Sequence, residues 1–170
     1  MKGNALRMAG LVSRMSRAKA EKLLKGVLDR VAEINERADL LHWVTEVRVF
    51  GSYLTETDDL GDLDLAIKLE RRPVKGTGSH PWADACLEMA RRSGKTFSNF
   101  VDELQYPETL VWRHIKNRVP HLSLHRTEEL DKNPTMGARQ FTHLFRRRHE
   151  RGMSGLNARY WPVSTLGGLV

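Results

Sequence analysis

Two alternating stretches separated by a short turn-rich segment constrain this chain more than any other feature. Val44-Thr45-Glu46-Val47-Arg48-Val49-Phe50 alternates apolar and polar residues and runs into Gly51-Ser52; after nine further residues, Asp62-Leu63-Asp64-Leu65-Ala66-Ile67 alternates again. A period of two is that of a strand with one buried face. Residues 53–61 contain Thr55, Thr57, Asp58, Asp59 and Gly61, a turn composition. The expectation is strand, turn, strand. Period two puts Asp62 and Asp64 on one face and turns Leu63 and Leu65 to the core. Adjacent like charges repel, and a fold seldom places them so without a cation. Oxygen donors suit Mg²⁺, which combines carboxylates with substrate phosphates. Two such ions can polarise the attacking and leaving oxygens of a phosphoryl or nucleotidyl transfer. Gly51 allows close approach of a phosphate to the backbone, and Ser52 offers a hydroxyl and an N–H to its oxygens. The plainer alternative is a hairpin with an exposed acidic face.

Around this unit the periodicity changes. Met15, Ala20, Leu23, Leu24, Val27, Val31 and Ile34 have helical spacing, with Ser13 or Ser16 as candidate cap. Residues 39–43 read as a connector. Pro81 suits the first turn of a helix striped by Trp82, Cys86, Met89 and Ala90. A short helix is expected over 97–104 and another from Pro107 through Ile115, ended by Pro120. Leu122-Ser123-Leu124 is a short strand candidate, and residues 126–170 have little period. The expected fold class is α+β, a small mixed sheet with flanking helices. The expected organisation is a flexible basic N-terminus over 1–14, one domain over 15–150 and a tail over 151–170.

A length of 170 residues makes one domain the default. No apolar run is long enough to span a membrane, and the basic N-terminus lacks the apolar stretch of a secretory signal. The single cysteine, Cys86, excludes an internal disulfide and a cysteine-rich zinc site. A cytoplasmic protein is expected. The net charge of +7 favours polyanions, and its distribution is uneven. Residues 1–30 carry eight Lys/Arg and two acids, residues 46–70 seven acids and two bases, and residues 139–151 five Arg and one Glu. An acidic centre between basic ends suits a site for cations and a phosphorylated substrate; solvated charged faces are the alternative. Lys68 and Arg71 are candidates for a triphosphate or for a solvated strand end. Arg146, Arg147 and Arg148 are candidates for nucleic-acid backbone or for a solvated helix face.

The Phe50-Gly51-Ser52 turn, its nine-residue spacer and Asp62-Leu63-Asp64-Leu65 resemble the fingerprint of the polymerase-beta nucleotidyltransferase superfamily, in the form of a small stand-alone member. The resemblance covers about residues 15–125, with its motif confined to 44–69. It implies that Asp62 and Asp64 are catalytic ligands of Mg²⁺, two ions in all, and that Gly51 and Ser52 contact a nucleoside triphosphate. The implied reaction moves a nucleoside monophosphate to a hydroxyl of RNA (tRNA ends especially), a protein side chain or a small molecule. Similar small members occur in bacterial toxin-antitoxin modules, which implies a cognate protein partner. One position departs: Ser123 stands between two leucines where the family carries a third carboxylate. A hydroxyl replaces it neither as a strong ligand nor as a base. Glu128, Glu129, Asp58 and Asp59 are candidate substitutes, and His121 and His125 candidate bases or ligands. The departure sustains a second reading, a catalytically degenerate module that binds nucleic acid or protein. A nuclease using the same metal pair is a third, with nothing to specify water as nucleophile.

Overall fold

The computed structural model describes residues 14–132, 141–147 and 158–160 of the chain. A two-residue strand, β1 (Met15–Ser16), leads into α1 (Arg17–Glu36). The Ser16 hydroxyl accepts the Lys19 N–H at 3.3 Å and starts that helix; Ser13 lies outside the described residues. Ala20, Leu24, Val27, Leu28, Val31 and Ile34 form the buried stripe of α1.

Strand β2 (His42–Phe50) begins two residues ahead of the expected start, because His42 and Trp43 pair with Arg71 and Glu70. After a 3-10 turn over Gly51–Leu54, β3 (Asp59–Leu60) pairs antiparallel with β1, and β4 (Leu63–Arg71) pairs antiparallel with β2. Asp62 sits one residue ahead of β4 rather than in it.

Helix α2 (Pro81–Arg92) starts on its proline as expected. The two short helices expected over 97–115 are one helix, α3 (Phe100–Lys116), and Pro107 lies inside it rather than at a start. A proline there removes one helical hydrogen bond; Pro107 is buried beside Tyr106, Val111 and Ile115 on the packed side, so burial offsets that loss. Asn99 caps the helix through Asp102 N at 3.0 Å. Asn117 ends it in the left-handed region, φ 43°, where asparagine is tolerated.

Strand β5 (Leu122–Arg126) runs parallel to β4, and α4 (Thr127–Lys132) follows directly. Strand β6 (Phe141–Arg147) pairs antiparallel with β2, and β7 (Ala158–Tyr160) antiparallel with β6. These last elements fall where the sequence shows little period, and β7 falls in the segment expected to be a tail. The main sheet has the order β5-β4-β2-β6-β7. The chain is thus a mixed α+β protein with small sheets and flanking helices.

The main core lies on one face of that sheet. Val47, Val49, Leu63, Leu65, Ile67 and Leu122 join the stripe of α1 and Val111 and Ile115 of α3. Leu63 and Leu65 are fully buried there, as the alternation required; each stabilises by about 1.5–3 kcal/mol. Among the described residues the opposite face carries a small buried apolar cluster of Phe50, Ala66 and Leu130, the last from α4. Among the described residues no helix is long and apolar enough to cross a membrane.

Candidate active site

Sheet register assembles the site. Phe50 is the antiparallel partner of Asp64, and Ser123 is its parallel partner. Gly51, following Phe50, therefore turns directly against Asp64. Its φ is +75°, and a Cβ added there would stand 2.8 Å from Asp64 Oδ2. The backbone angle favours glycine, and a side chain there would push the Asp64 carboxylate aside.

The 3-10 turn presents Ser52. Its carbonyl accepts the Thr55 N–H at 3.1 Å and the Thr55 hydroxyl at 2.7 Å, which fixes the peptide. The Ser52 hydroxyl makes no hydrogen bond among the described residues and is free for a ligand.

Asp64 is half-buried. Phe50 and Ala66 flank it on its own face and, with Leu130, keep water from one side. Burial first, and the charge of Asp62 second, push its pKa above the ordinary carboxylate value, with His125 pulling the other way. Neither Asp62 nor Asp64 is ion-paired among the described residues. Two bare, neighbouring oxygen donors fit a hard cation. Among the described residues no group of three or more His, Cys, Asp or Glu is arranged to hold a metal. A Mg²⁺ ion here would take Asp62 and Asp64 and complete its shell with phosphate oxygens and water, which is its usual habit.

The departure at 123 lies at the heart of the site, since Ser123 is side by side with Asp64. Around it, His121 gives its carbonyl to the Leu63 N–H at 2.9 Å and is buried, with Nδ1 unpartnered among the described residues. His125 pairs with Ala66 and sets its ring edge-on to Phe50, centroids 5.5 Å apart. Of the candidate substitute acids, Asp59 and Asp58 are engaged by arginines, Arg14 at 2.6 Å and Arg17 at 3.9 Å, and Glu129 faces His125 Nδ1 at 3.9 Å. Glu128 stands exposed at the start of α4.

Other candidates are not gathered in. Lys68 is four residues along β4 from Asp64, about 13 Å at strand rise, and faces Glu70 at 3.4 Å. Arg71 lies over the Trp82 ring, 4.8 Å from its centroid. Arg146 is exposed on β6, two strands from Asp64, and Arg147 ends that strand, so neither lies on a helix face. Arg148 is outside the described residues.

Two features escaped the sequence reading. Arg48 binds Glu46 through Nε at 2.9 Å and Nη2 at 3.2 Å, and Asp131 through Nη1 at 2.7 Å. His143 Nδ1 lies 2.7 Å from the same Glu46 oxygen, but off the line a hydrogen bond needs. Opposite charges two apart on the polar face of a strand were the available signal. The second is Arg17, whose guanidinium reaches the loop between Ser52 and Asp62; nothing in the sequence pairs those positions. Comparison with models of protein families, with curated proteins and with solved structures gives no match for this chain.

Proposed function

We propose that this protein is a Mg²⁺-dependent nucleotidyltransferase of the polymerase-beta type, built on Gly51, Ser52, Asp62 and Asp64. The observation that carries the reading is the juxtaposition of a positive-φ glycine turn with a half-buried, unpaired Asp64 whose neighbour Asp62 is also unpaired. A structural carboxylate at this depth is normally neutralised; this pair is left bare beside a backbone shaped for close approach. In the reaction an acceptor hydroxyl oxygen bonds to the α-phosphorus of a nucleoside triphosphate, the bond from the α-phosphorus to the bridging oxygen of the β-phosphate breaks, pyrophosphate leaves, and the hydroxyl proton passes to solvent water. Bound Mg²⁺ would offset phosphate charge. The chain's own part is to seat and orient: Gly51 admits the triphosphate, the Ser52 hydroxyl donates to a phosphate oxygen, and Asp62 and Asp64 hold the cation side. The acceptor class (RNA, protein or small molecule) is for the assay to identify.

Ser123 favours a second reading, a degenerate domain that keeps the nucleotide seat without turnover, since no carboxylate stands there to take the hydroxyl proton. One experiment separates the two. The protein is incubated with each labelled nucleoside triphosphate, Mg²⁺ and total cellular RNA, beside the Asp62→Ala/Asp64→Ala variant. Label in RNA or protein, absent with the variant, is the expected result. Nucleotide-dependent thermal stabilisation without transfer gives the second reading. Neither transfer nor stabilisation, from folded protein, ends both.

A further inference from the structure

Arg17, the first residue of α1, makes its contacts outside the helix. Its Nη1 donates to the Tyr53 carbonyl at 3.2 Å, and its Nη2 to the Thr57 carbonyl at 2.9 Å and to the Thr55 carbonyl. Its Nε lies 3.9 Å from Asp58 Oδ1, and its guanidinium sits 5.4 Å from the Tyr53 ring centroid. The Arg17 N–H donates to the Asp58 carbonyl at 3.1 Å. Just before it, Met15 and Ser16 pair with Leu60 and Asp59, and Arg14 binds Asp59. Three carbonyls on one planar fork, from alternate residues of a turn-rich loop, is a use only arginine's several donors allow.

This loop connects the two halves of the candidate site. At one end Thr55, whose carbonyl Arg17 holds, donates both N–H and hydroxyl to the Ser52 carbonyl. At the other end Asp58 to Leu60 are tied to the 15–17 segment, two residues short of Asp62. Arg17 thus grips both arms of the connection, while α1 anchors it through Ala20 and Leu24 in the core. We propose that Arg17 is a positioning residue that sets the Ser52 seat against the Asp62–Asp64 pair, and so controls affinity for the triphosphate. Its nucleotide consequence rests on the function proposed above; the clamp itself does not.

The test uses Arg17→Lys, which keeps the charge and the helix but offers one donor centre in place of the fork. Amide hydrogen exchange over 53–60 is measured with the dissociation constants of the four nucleoside triphosphates in Mg²⁺, well below the melting temperature. Exchange is expected to rise across 53–60 while β2 and β4 stay protected. The triphosphate dissociation constant is expected to rise about tenfold, as for loss of one or two hydrogen bonds. Thr55→Val, which removes only the hydroxyl bond to Ser52, should weaken binding less, and should add little in the Arg17→Lys background because both act through one link. A purely structural arginine would lower the melting temperature without moving the affinity of the folded protein. Wild type that binds triphosphate and Arg17→Lys that binds it equally well overturn this inference alone. Unchanged exchange over 53–60 overturns the clamp. Wild type that retains no triphosphate overturns the proposed function, and the nucleotide role of Arg17 with it.

Discussion

Glu46 and Asp64 stand on the same face of one sheet, on neighbouring strands, and meet opposite surroundings. Glu46 is nearly sealed, with its side chain 8% exposed, and Arg48, at 12%, spends two donors on it. Burial works against the Arg48 charge, but hydrogen bonds to Glu46 and Asp131 outweigh it and hold its pKa above the ordinary value. Asp64 is less buried, yet no cation is paired with it among the described residues; the charges that act on it are the repelling Asp62 and the partly compensating His125. One carboxylate is closed off by the chain itself; the other has no paired cation among the described residues. Depth of burial alone does not separate a structural charge from a ligand. Whether the fold has supplied the counter-charge does.

The largest expected effect comes from breaking the closed site. Arg48→Met leaves Glu46 buried without its main partner, a loss of about 3 kcal/mol, or roughly 6–12 °C in melting temperature for a chain of this size. The exposed Asp131 arm contributes little of this. Adding Glu46→Leu should recover most of the loss, since an apolar pair of similar volume needs no counter-charge. Thermal melts of the single and double variants check it. A single variant as stable as wild type would show that Glu46 is solvated or held by His143 alone, and the contrast with Asp64 would collapse.

Gly51→Ala comes next and acts on the open site. The positive φ costs a side chain about 1–2 kcal/mol, a few degrees of melting temperature. The new methyl also forces the Asp64 carboxylate to turn away, since it would lie 2.8 Å from Oδ2. Stabilisation by Mg²⁺ and nucleoside triphosphate should then vanish although the protein still folds. Gly61→Ala in the same loop is the control: nothing lies within 4 Å of a Cβ there and its φ is not positive, so both stability and stabilisation should persist.

The open site was more legible in the sequence than the closed one, for a physical reason. Period two, a glycine turn and two aspartates two apart are local signals, and local pattern places Phe50, Gly51, Asp64 and the core leucines together. The pattern marked Leu122-Ser123-Leu124 only as a short strand, and the resemblance alone pointed to position 123; its place beside Asp64 comes from the parallel pairing of β4 and β5. What the pattern cannot carry is long-range partnership. Glu46 meets His143 across β2 and β6 and Arg48 meets Asp131 on α4, and Arg17 meets a loop some 40 residues away. Strand β6 itself, whose Leu144 and Phe145 are both buried, breaks strict alternation at a bulge against β2, so its period is blurred. Helix α4 is too short to show one. Pro107 misled for a different reason: a proline can start a helix or be tolerated within one, and only the packing of its buried face decides.

The smallest expected effect is the most discriminating. Burial, with the charge of Asp62 behind it, favours the neutral acid at Asp64, and His125 only partly opposes this. The folded chain therefore holds that proton to a higher pH than the unfolded chain does. Between the two pKa values the native state binds the extra proton, so stability falls as pH rises through that interval and the full penalty persists above it. Asp64→Asn removes the penalty. At neutral pH the variant should melt above wild type, and the gain should fade as pH drops toward the ordinary aspartate value of about 4. Saturating Mg²⁺ with nucleoside triphosphate should reverse the order, because ligand that binds only the native site stabilises wild type and finds one carboxylate fewer in the variant. Glu46→Gln, the matched change at the closed site, should instead lower stability at neutral pH and ignore Mg²⁺. A neutral-pH melt in which Asp64→Asn loses stability as Glu46→Gln does would place both carboxylates in the same structural class, and the argument for an external cation at Asp64 would go with it.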